Sequence, residues 1–311
     1  MALIVGLDGG GTSTRCAVSE GGVILGRGCA GGCNIVRLGE SIARQSIHAA
    51  IRQAFHAAAA EPARAEAACI GVAGSAVAHV RDSVHRIIAE VLACPIQVVG
   101  DEEIAFEAFF GSGPGVLVIA GTGSIAFGRN SACVTAHAGG HGFIISDEGS
   151  GQWIGRTAVS ACLRALDAGT ECALMPMLLR AFNVSSPGEL IQAANAVPLA
   201  DFSRLLPVVL EAEANGDPIA ADVLSRAGSE LAHISKSVAA KLEIDQSELR
   251  VAMAGGVFEH CELIRHEFER ALHATHPLAV AAGIVREPLR GALALALNLA
   301  RQSDAHSCSL T

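Results

Sequence analysis

The sequence predicts an α/β fold of two domains, the second richer in helices. Strand-like and helical segments alternate along the first third of the chain, and strand–glycine turn–strand units occur near residues 8–12 and 121–124. The chain length of 311 residues corresponds to about two domains. Gly111–Gly115, with three glycines and a proline, is the strongest linker signal and marks the expected boundary.

The first strand–turn–strand unit begins with the apolar run Leu3–Leu7, which predicts a buried strand, and continues into Asp8-Gly9-Gly10-Gly11-Thr12. Glycines allow the backbone to turn tightly, and successive N–H groups can cradle phosphate oxygens. Asp8, at the strand end, is placed to face a metal ion. A purely structural turn explains the same residues, so this motif alone leaves both interpretations open.

The residues after this turn exclude two common nucleotide-binding motifs. Arg15–Glu20 and Val23–Arg27 flank Gly21-Gly22 and predict a β-hairpin. A dinucleotide-binding βαβ unit needs a helix after its glycines instead. A P-loop needs a lysine, and the only lysines of the chain, Lys236 and Lys241, are far from any glycine-rich turn.

The second unit repeats this plan. Gly115–Gly121 predicts a strand, Thr122-Gly123-Ser124 a turn of small residues, and Ile125–Arg129 the next strand. Two such loops facing each other across a cleft could clamp a polyphosphate and its Mg²⁺. An ordinary pair of tight turns is the alternative, but both loops combine glycines with hydroxyls, which favours the phosphate interpretation.

The remaining apolar patterns predict most of the other elements. Helices are predicted at 41–60, 81–93, 102–110, 149–167, 174–182, 187–196, 201–214, 218–241, 259–274 and 287–300, and strands at 67–72, 96–99, 249–254 and 278–282. Ser41 is the expected N-cap of the first helix.

Composition narrows the classes of function. Hydrophobic residues make up 51% and charged residues 17% of the chain, which fits a compact enzyme with large cores. The net charge of −9, without a basic stripe, argues against nucleic acid as a partner. No apolar run reaches membrane-spanning length and no signal segment precedes Leu3, so a soluble cytoplasmic protein without a membrane partner is expected.

The ten cysteines form no C-x-x-C pair. They are expected to be free thiols in a reducing compartment, and their scatter argues against a zinc or iron–sulfur site. His137 and His141 lie in a glycine-rich loop rather than on one helix, so no metal site is expected there.

Three acidic positions lie where chemistry requires carboxylates. Asp8 and Asp101 each end a predicted strand, and Asp147-Glu148 lies in the glycine-rich segment 139–151. Because parallel sheets bind ligands at the carboxyl ends of their strands, Asp8 and Asp101 should converge. Phosphoryl transfer needs a metal-binding group and a carboxylate that takes the hydroxyl proton, roles that Asp8 and Asp101 fit. Asp101 is equally well explained as the N-cap of the following helix.

Three other positions carry weaker signals. Asp147-Glu148 suits recognition of sugar hydroxyls, although Asp147 or Ser150 could simply cap the next helix. Asn34, in the loop Gly31–Asn34, offers a bidentate amide, which alone indicates only a turn. Gly255-Gly256 at a strand end would admit a flat base or ribose, and a strand–helix turn explains it equally well.

Taken together, these motifs resemble the sugar kinase, actin and Hsp70-type ATPase superfamily, and more narrowly the BadF/BadG/BcrA/BcrD ATPase family with its N-acetylglucosamine and glucosamine kinases. The resemblance runs from Leu3 to about Ala300. The motifs that carry it, in order, are DGGGTST (8–14), VVGDEEIAFEA (98–108), GTGSIA (121–126), GGHGFIISDEGSG (139–151) and AGGV (254–257). Each motif is modest alone, and their order makes the resemblance specific.

The resemblance implies two ribonuclease H-like (actin-like ATPase) domains with a central cleft. The N-terminal domain would comprise residues 1–112 plus the helix 287–300, and the C-terminal domain residues 113–286 with a helical insertion. ATP and Mg²⁺ are the implied cofactors, with Asp101 as general base and Asp8 placing Mg²⁺, directly or through water. The implied phosphate-binding residues are Gly10, Gly11, Thr12, Gly121, Thr122, Gly123 and Ser124, with Gly255 and Gly256 beside the adenosine. The implied amino-sugar contacts are Asn34, Ser75, Asp101, Gly140, His141 and Asp147.

The implied activity is transfer of the ATP γ-phosphoryl group to an amino sugar, with N-acetylglucosamine and its 6-hydroxyl as first expectation and a homodimer as the expected assembly. Glucosamine is the alternative substrate, and N-acetylmuramic acid differs by few contacts. A second alternative is an ATP-driven activator of a partner enzyme, as in the dehydratase-activating branch of the same family. Two departures affect the expected sugar pocket: His141 replaces the usual Trp, and Ser146 the more common Gly.

Overall fold

The structure, a computed structural model, describes residues 2–308 of the chain. These residues separate into two compact units, one drawn from Met1–Gly113 and Val285–Thr311 and the other formed by Pro114–Ile284. Each sheet of the fold has five strands. The predicted α/β class is confirmed, and most of the helices belong to the second unit.

The elements follow one another in chain order. The strands are β1 (Leu3–Gly9), β2 (Ser13–Glu20), β3 (Val23–Gly31), β4 (Ala67–Val72), β5 (Ile96–Val99), β6 (Gly115–Ala120), β7 (Ser124–Arg129), β8 (Thr135–Gly139), β9 (Arg250–Ala254) and β10 (Val280–Val285). The α-helices are α1 (Ile35–Leu38), α2 (Glu40–Ala58), α3 (Ala78–Ala89), α4 (Asp101–Phe110), α5 (Gly151–Asp167), α6 (Leu174–Phe182), α7 (Pro187–Ala194), α8 (Leu206–Ala214), α9 (Pro218–Lys241), α10 (Gly256–His260), α11 (Glu262–His273) and α12 (Leu289–Cys308). Short 3₁₀ helices occupy Pro62–Arg64 and Phe202–Leu205.

The sheet of the first unit has the order β3-β2-β1-β4-β5. The hairpin strands β1, β2 and β3 are antiparallel neighbours, whereas β4 and β5 run parallel to β1. Because side chains alternate along a strand, Leu3 and Val5 join a core with α2 and α3, and Ile4 joins the core with α4 and α12. Helices therefore cover both faces of the sheet, so a ligand would bind at the ends of its strands.

The sheet of the second unit repeats this plan with the order β10-β9-β6-β7-β8. β6, β7 and β8 are antiparallel neighbours, and β9 runs parallel to β6. Buried residues of β6, such as Val116 and Val118, share one core with Ile154 of α5 and Leu231 of α9. This core has more buried residues than either of the two cores of the first unit and supports the connections that follow β6 and β9.

The structure corrects several predicted boundaries. Ser41 is not an N-cap, because α2 begins at Glu40 and Gly39 holds the cap position without a side-chain bond. The helix predicted at 259–274 is two helices, interrupted at Cys261, whose extended backbone ends α10 and whose sulfur accepts from the Ile264 N–H. The predicted helix 201–214 begins as a 3₁₀ turn, and the last helix extends past residue 300.

Two strands also differ from prediction. β10 begins two residues after the predicted start at Leu278, and β8 had no sequence prediction. Across the described residues, no helix combines the length and apolar character needed to span a bilayer.

Candidate active site

In the first unit, the candidate residues collect at one edge of the sheet. The turn Gly10–Thr12 follows β1, Ser75 lies in the turn after β4, and Asp101 follows β5. Because β1, β4 and β5 are parallel, their carboxyl ends share this edge. The predicted convergence of Asp8 and Asp101 is present, since the two carboxyls lie close enough for the Asp101 charge to act on Asp8.

Asp8 lies near the end of β1, with a side chain that is 17% exposed. Burial raises the pKa of its carboxyl above the ordinary value, the Arg15 guanidinium 4.0 Å away opposes this, and Asp101 adds to it. A largely buried carboxylate near a strand end is a suitable oxygen ligand for Mg²⁺, which takes one or two protein carboxylates together with substrate phosphates. No cluster of three or more metal-ligating side chains occurs within the described residues, and that mode of binding does not require one.

In the turn after β1, some backbone groups are hydrogen-bonded within the protein and others are available to a ligand. The Gly10 N–H donates to Ser13 O (2.9 Å), and Gly10 O accepts from the Cys33 N–H (3.1 Å). A Cβ at Gly9 would lie only 2.6 Å from the Cys33 sulfur, so this position requires glycine. In the part of the chain that is described, the N–H groups of Gly11 and Thr12 donate no hydrogen bond within the protein. They form a pair of adjacent free donors.

Asp101 is the first residue of α4, and Gly100 rather than Asp101 occupies the N-cap position. The interpretation of Asp101 as a simple cap is therefore wrong. Capping is provided by Glu103, whose carboxylate accepts from the Gly100 N–H at 3.0 Å. The Asp101 carboxyl accepts hydrogen bonds from the backbone N–H groups of Asp101 and Glu102 and also interacts with the Glu102 carboxyl.

A hydrogen bond joins the carboxyls of Asp101 and Glu102. Burial raises the pKa of both groups, and that of Glu102 reaches about 8. The interaction between them acts to lower the pKa of Asp101 and to raise that of Glu102, so of the two carboxyls it favours the ionised form of Asp101.

Sequence reasoning missed two residues of this edge. Glu102 follows Asp101 directly, so its adjacency in the sequence was an available signal. The Cys33 thiol lies close enough to Asp8 and Asp101 for both charges to act on it, and burial raises its pKa to about 11. No sequence pattern indicated this contact, because the β2–β3 hairpin brings Cys33 back to the turn after β1.

In the second unit, the turn after β6 has the same construction. The Gly121 N–H donates to Gly123 O (2.9 Å), and Gly121 O and Thr122 O accept from the first N–H groups of α5, at Gly151 and Gln152 (2.8 and 3.2 Å). Ser124 donates through its hydroxyl to Glu148 O at 2.8 Å. Among the described residues, the Thr122 and Gly123 N–H groups donate no hydrogen bond within the protein. A second pair of adjacent donors is therefore free.

Gly255 lies at the same edge of the second sheet as this turn, because β9 runs parallel to β6 with Ala254 opposite Ile119. Its backbone has φ +94°, and a Cβ there would overlap the carbonyl of Ala120. Gly255 therefore satisfies a local steric requirement, and Gly256 begins the short helix α10. Both interpretations of this pair, structural turn and nucleoside contact, fit the geometry.

Asp147 is buried beneath the turn after β6, with φ +60°. Its Oδ2 lies 2.8 Å from the position of a Cβ at Gly123. Burial raises the pKa of its carboxyl, and the backbone N–H groups of Gly142 and Ser124 oppose that shift as hydrogen-bond donors. Asp147 therefore organises the turn, and the cap of α5 is Ser150, which accepts from the Trp153 N–H at 3.2 Å.

The remaining predicted sugar contacts have different settings. Asn34 caps α1 by accepting from the Arg37 N–H at 3.0 Å, and Ser75 is buried in its turn. Gly140 and His141 are exposed in the connection after β8. Asn34 and Ser75 belong to the first unit, and Gly140, His141 and Asp147 to the second.

A family model described as the BadF/BadG/BcrA/BcrD ATPase family matches residues 5–289. Three curated relatives align with most of the chain. The N-acetylmuramic acid/N-acetylglucosamine kinase of Clostridium acetobutylicum is 29% identical and the N-acetyl-D-glucosamine kinase of Dictyostelium discoideum 27%; each alignment covers 95% of this chain and 98% of the relative. Glucosamine kinase GspK of Vibrio cholerae is 28% identical over 74% of this chain and 78% of its own length.

Solved structures give the same result for the fold. A crystal structure from Chromobacterium violaceum, assigned as an N-acetylglucosamine kinase, matches with a TM-score of 0.76 and 26% identity, covering 95% of this chain and 99% of that one. A ROK family glucokinase from Streptomyces griseus, solved with glucose and AMPPNP, matches with a TM-score of 0.60 and 17% identity, covering 97% of this chain and all of that one. The fold is that of the two-domain, actin-like ATPase kinases.

Proposed function

Because the chain belongs to the BadF/BadG/BcrA/BcrD ATPase family, we propose that it is an ATP-dependent amino-sugar kinase that phosphorylates the 6-hydroxyl of N-acetylglucosamine. One observation carries the ATP assignment. Each unit has a glycine turn in which two adjacent N–H groups, at Gly11 and Thr12 and at Thr122 and Gly123, donate to no acceptor within residues 2–308. Adjacent N–H groups of this kind bind phosphate oxygens without a lysine.

The nucleotide would be held by backbone groups. Gly10, Gly11 and Thr12 of the first unit and Gly121, Thr122, Gly123 and Ser124 of the second are proposed to contact the phosphates. Gly255 and Gly256 would flank the adenosine, because neither has a side chain to obstruct a flat ring. Fixed backbone donors can stabilise the charge that spreads over the transferring phosphoryl group.

Mg²⁺ is the proposed metal, held by Asp8 directly or through water. When bound, it would neutralise charge on the phosphate oxygens. Asp8 fits this role because it is an oxygen ligand at the strand end, beside the free donors of Gly11 and Thr12.

Asp101 is the proposed general base. The interaction with Glu102 acts to lower the pKa of Asp101 against the effect of burial, which favours a carboxylate able to accept a proton. As the sugar oxygen bonds to the γ-phosphorus, its proton would pass to Asp101, the bond from phosphorus to the bridging oxygen would break, and ADP would leave.

The sugar contacts are proposed for Asn34, Ser75 and Asp101 in the first unit and Gly140, His141 and Asp147 in the second. The Asn34 oxygen is occupied by its helix cap, which leaves its two N–H groups to donate to sugar oxygens. His141, exposed and able to donate or accept, would contact the substituents of the ring.

A coupled ADP-release assay tests the proposal with glucosamine, N-acetylglucosamine, N-acetylmuramic acid, N-acetylmannosamine and glucose. We expect the highest kcat/KM with N-acetylglucosamine. Glucosamine is the second candidate, because the Vibrio cholerae relative is named for it. ADP release that no sugar stimulates would contradict the kinase proposal.

We propose that the protein acts in the cytoplasm, where its substrate ATP is supplied. We also propose that it is a homodimer. Size-exclusion chromatography with light scattering would check the assembly. A dimer would give twice the 31.7 kDa mass of the chain.

A further inference from the structure

Two thiols of the second unit lie unusually close together. Cys162, on α5, and Cys172, in the connection to α6, have their sulfurs 2.9 Å apart. Both are free thiols in this structure. A disulfide bond is about 2.05 Å long, so the sulfurs need to approach by less than about 1 Å to become bonded. The ten-residue separation of the two positions makes this a short, local ring.

The two thiols have different environments. Cys162 is fully buried, and burial raises the pKa of its thiol strongly, with Cys172 and the carboxylate of Asp217 acting in the same direction. Cys172 is half-buried and can meet a dissolved reagent. Asp217 fixes the geometry nearby, because its Oδ2 accepts from the buried Leu174 N–H at 2.9 Å, two residues after Cys172. The Cys172 thiol is therefore accessible to a reagent, and the buried Cys162 thiol lies next to it.

We propose that Cys162 and Cys172 form a redox-active thiol pair whose reaction partner is a low-molecular-weight disulfide such as glutathione disulfide. The Cys172 thiolate attacks one sulfur of the reagent, forming a mixed disulfide and releasing one glutathione thiolate. Cys162 then loses its proton and attacks the Cys172 sulfur, and the second glutathione leaves. The two protein thiols are oxidised to one disulfide, and one glutathione disulfide is reduced to two glutathiones.

The consequence for the enzyme follows from the position of α5. The first N–H groups of this helix, at Gly151 and Gln152, donate to Gly121 O and Thr122 O in the turn after β6. Cys162 is 11 residues further along, or about 16 Å at 1.5 Å per residue. Oxidation would therefore link the C-terminal part of α5, the helix that supports this turn, to the connection that follows it. We expect the thermal midpoint of unfolding to rise by about 5 °C.

The test uses the wild-type chain with glutathione disulfide, followed by iodoacetamide and tryptic digestion without reduction. Cleavage after Arg156, Arg164 and Arg180 places Cys162 in residues 157–164 and Cys172 in residues 165–180. Mass spectrometry should find these two peptides joined. A thiol titration of the denatured protein should fall from ten to eight.

Two variants sharpen the result. Cys172→Ser should abolish the joined peptide and the rise in thermal midpoint. Cys29→Ser, which removes an exposed thiol, should leave both unchanged. Recovery of Cys162 and Cys172 as separately alkylated peptides, or of Cys172 as a stable glutathione adduct, would overturn the proposal. Because the decisive measurement is made on the unsubstituted chain, a folding defect in a variant cannot mask it.

Discussion

The glycine turns after β1 and β6 have the same backbone chemistry and different charges around it. In each, the first glycine donates back across the turn, from Gly10 to Ser13 or from Gly121 to Gly123, and the next two N–H groups have no acceptor among the residues that the structure describes. The turn after β1 lies beside two strand-end carboxyls, Asp8 and Asp101. The turn after β6 contains no carboxyl residue. The carboxyl that packs against it belongs to Asp147, in the segment 139–151.

This difference indicates a division of labour. Asp147 accepts from backbone N–H donors, so it stabilises the turn after β6 and is less suited to proton exchange. Among the described residues, Asp8 has no such backbone donors, whereas Asp101 accepts from the backbone N–H groups of Asp101 and Glu102 and also interacts with the Glu102 carboxyl. A duplicated turn could thus bind phosphate in both units, and the proposed metal binding and proton transfer would be confined to the first. Substitutions in each turn should separate these roles.

The largest effect is expected at Asp101. Asp101→Asn keeps the size of the side chain and removes its basicity, so kcat should fall by about 10³-fold or more, while ATP binding is retained. ADP release with N-acetylglucosamine and calorimetric titration with ATP measure the two properties separately. Activity close to that of the wild type would remove Asp101 as the base.

Asp8→Asn is expected to follow, with kcat lowered by roughly 10²-fold and a higher Mg²⁺ concentration needed for half-maximal rate. The amide retains an oxygen ligand but loses the charge that attracts the cation. A magnesium titration of the initial rate checks this expectation. An unchanged Mg²⁺ dependence would show that the metal is held elsewhere.

The elements that the sequence predicted correctly are those with a local signal. β4, buried along its whole length, matches the predicted strand 67–72, because a continuous apolar run bounded by turns is readable without tertiary context. β8 had no such signal, since exposed, half-buried and buried residues are mixed along it instead of forming one buried run. Its main chain pairs with β7, and His137 O also accepts from the Lys241 ammonium at the end of α9 (2.8 Å).

The site divides in the same way. The position of Asp101 at the end of a strand was readable, because strand ends and acidic residues are visible in one sequence. The raised pKa of Glu102 and the place of Cys33 beside the turn after β1 were not, since the first depends on burial and the second on the β2–β3 hairpin that returns the chain to this turn. Shifted pKa values follow from desolvation, which only the folded chain produces.

A smaller effect, on stability, should show whether the contact between Asp147 and the turn after β6 stabilises the fold. Gly123→Ala would place a Cβ 2.8 Å from Asp147 Oδ2, whereas a Cβ at Gly121 meets no atom within 4 Å. We expect Gly123→Ala to lower the free energy of unfolding by about 1–3 kcal/mol and Gly121→Ala to change it by less than about 0.5 kcal/mol. Urea unfolding measures both. Equal losses in the two variants would show that Asp147 is not the obstacle.

The smallest effect is expected for Glu102→Gln, and it appears in the pH dependence rather than in the rate at one pH. The pKa of Glu102 rises from 4.5 to about 8 on folding, so between these values the folded chain holds a proton that the unfolded chain has released. Stability must therefore fall as the pH rises through that window. Glutamine does not titrate, so the thermal midpoint of Glu102→Gln should change less with pH between 4.5 and 8 than that of the wild type. The control is Glu61→Gln, which neutralises an exposed carboxylate and should show the pH dependence of the wild type. Parallel curves for all three proteins would mean that Glu102 ionises normally in the folded chain.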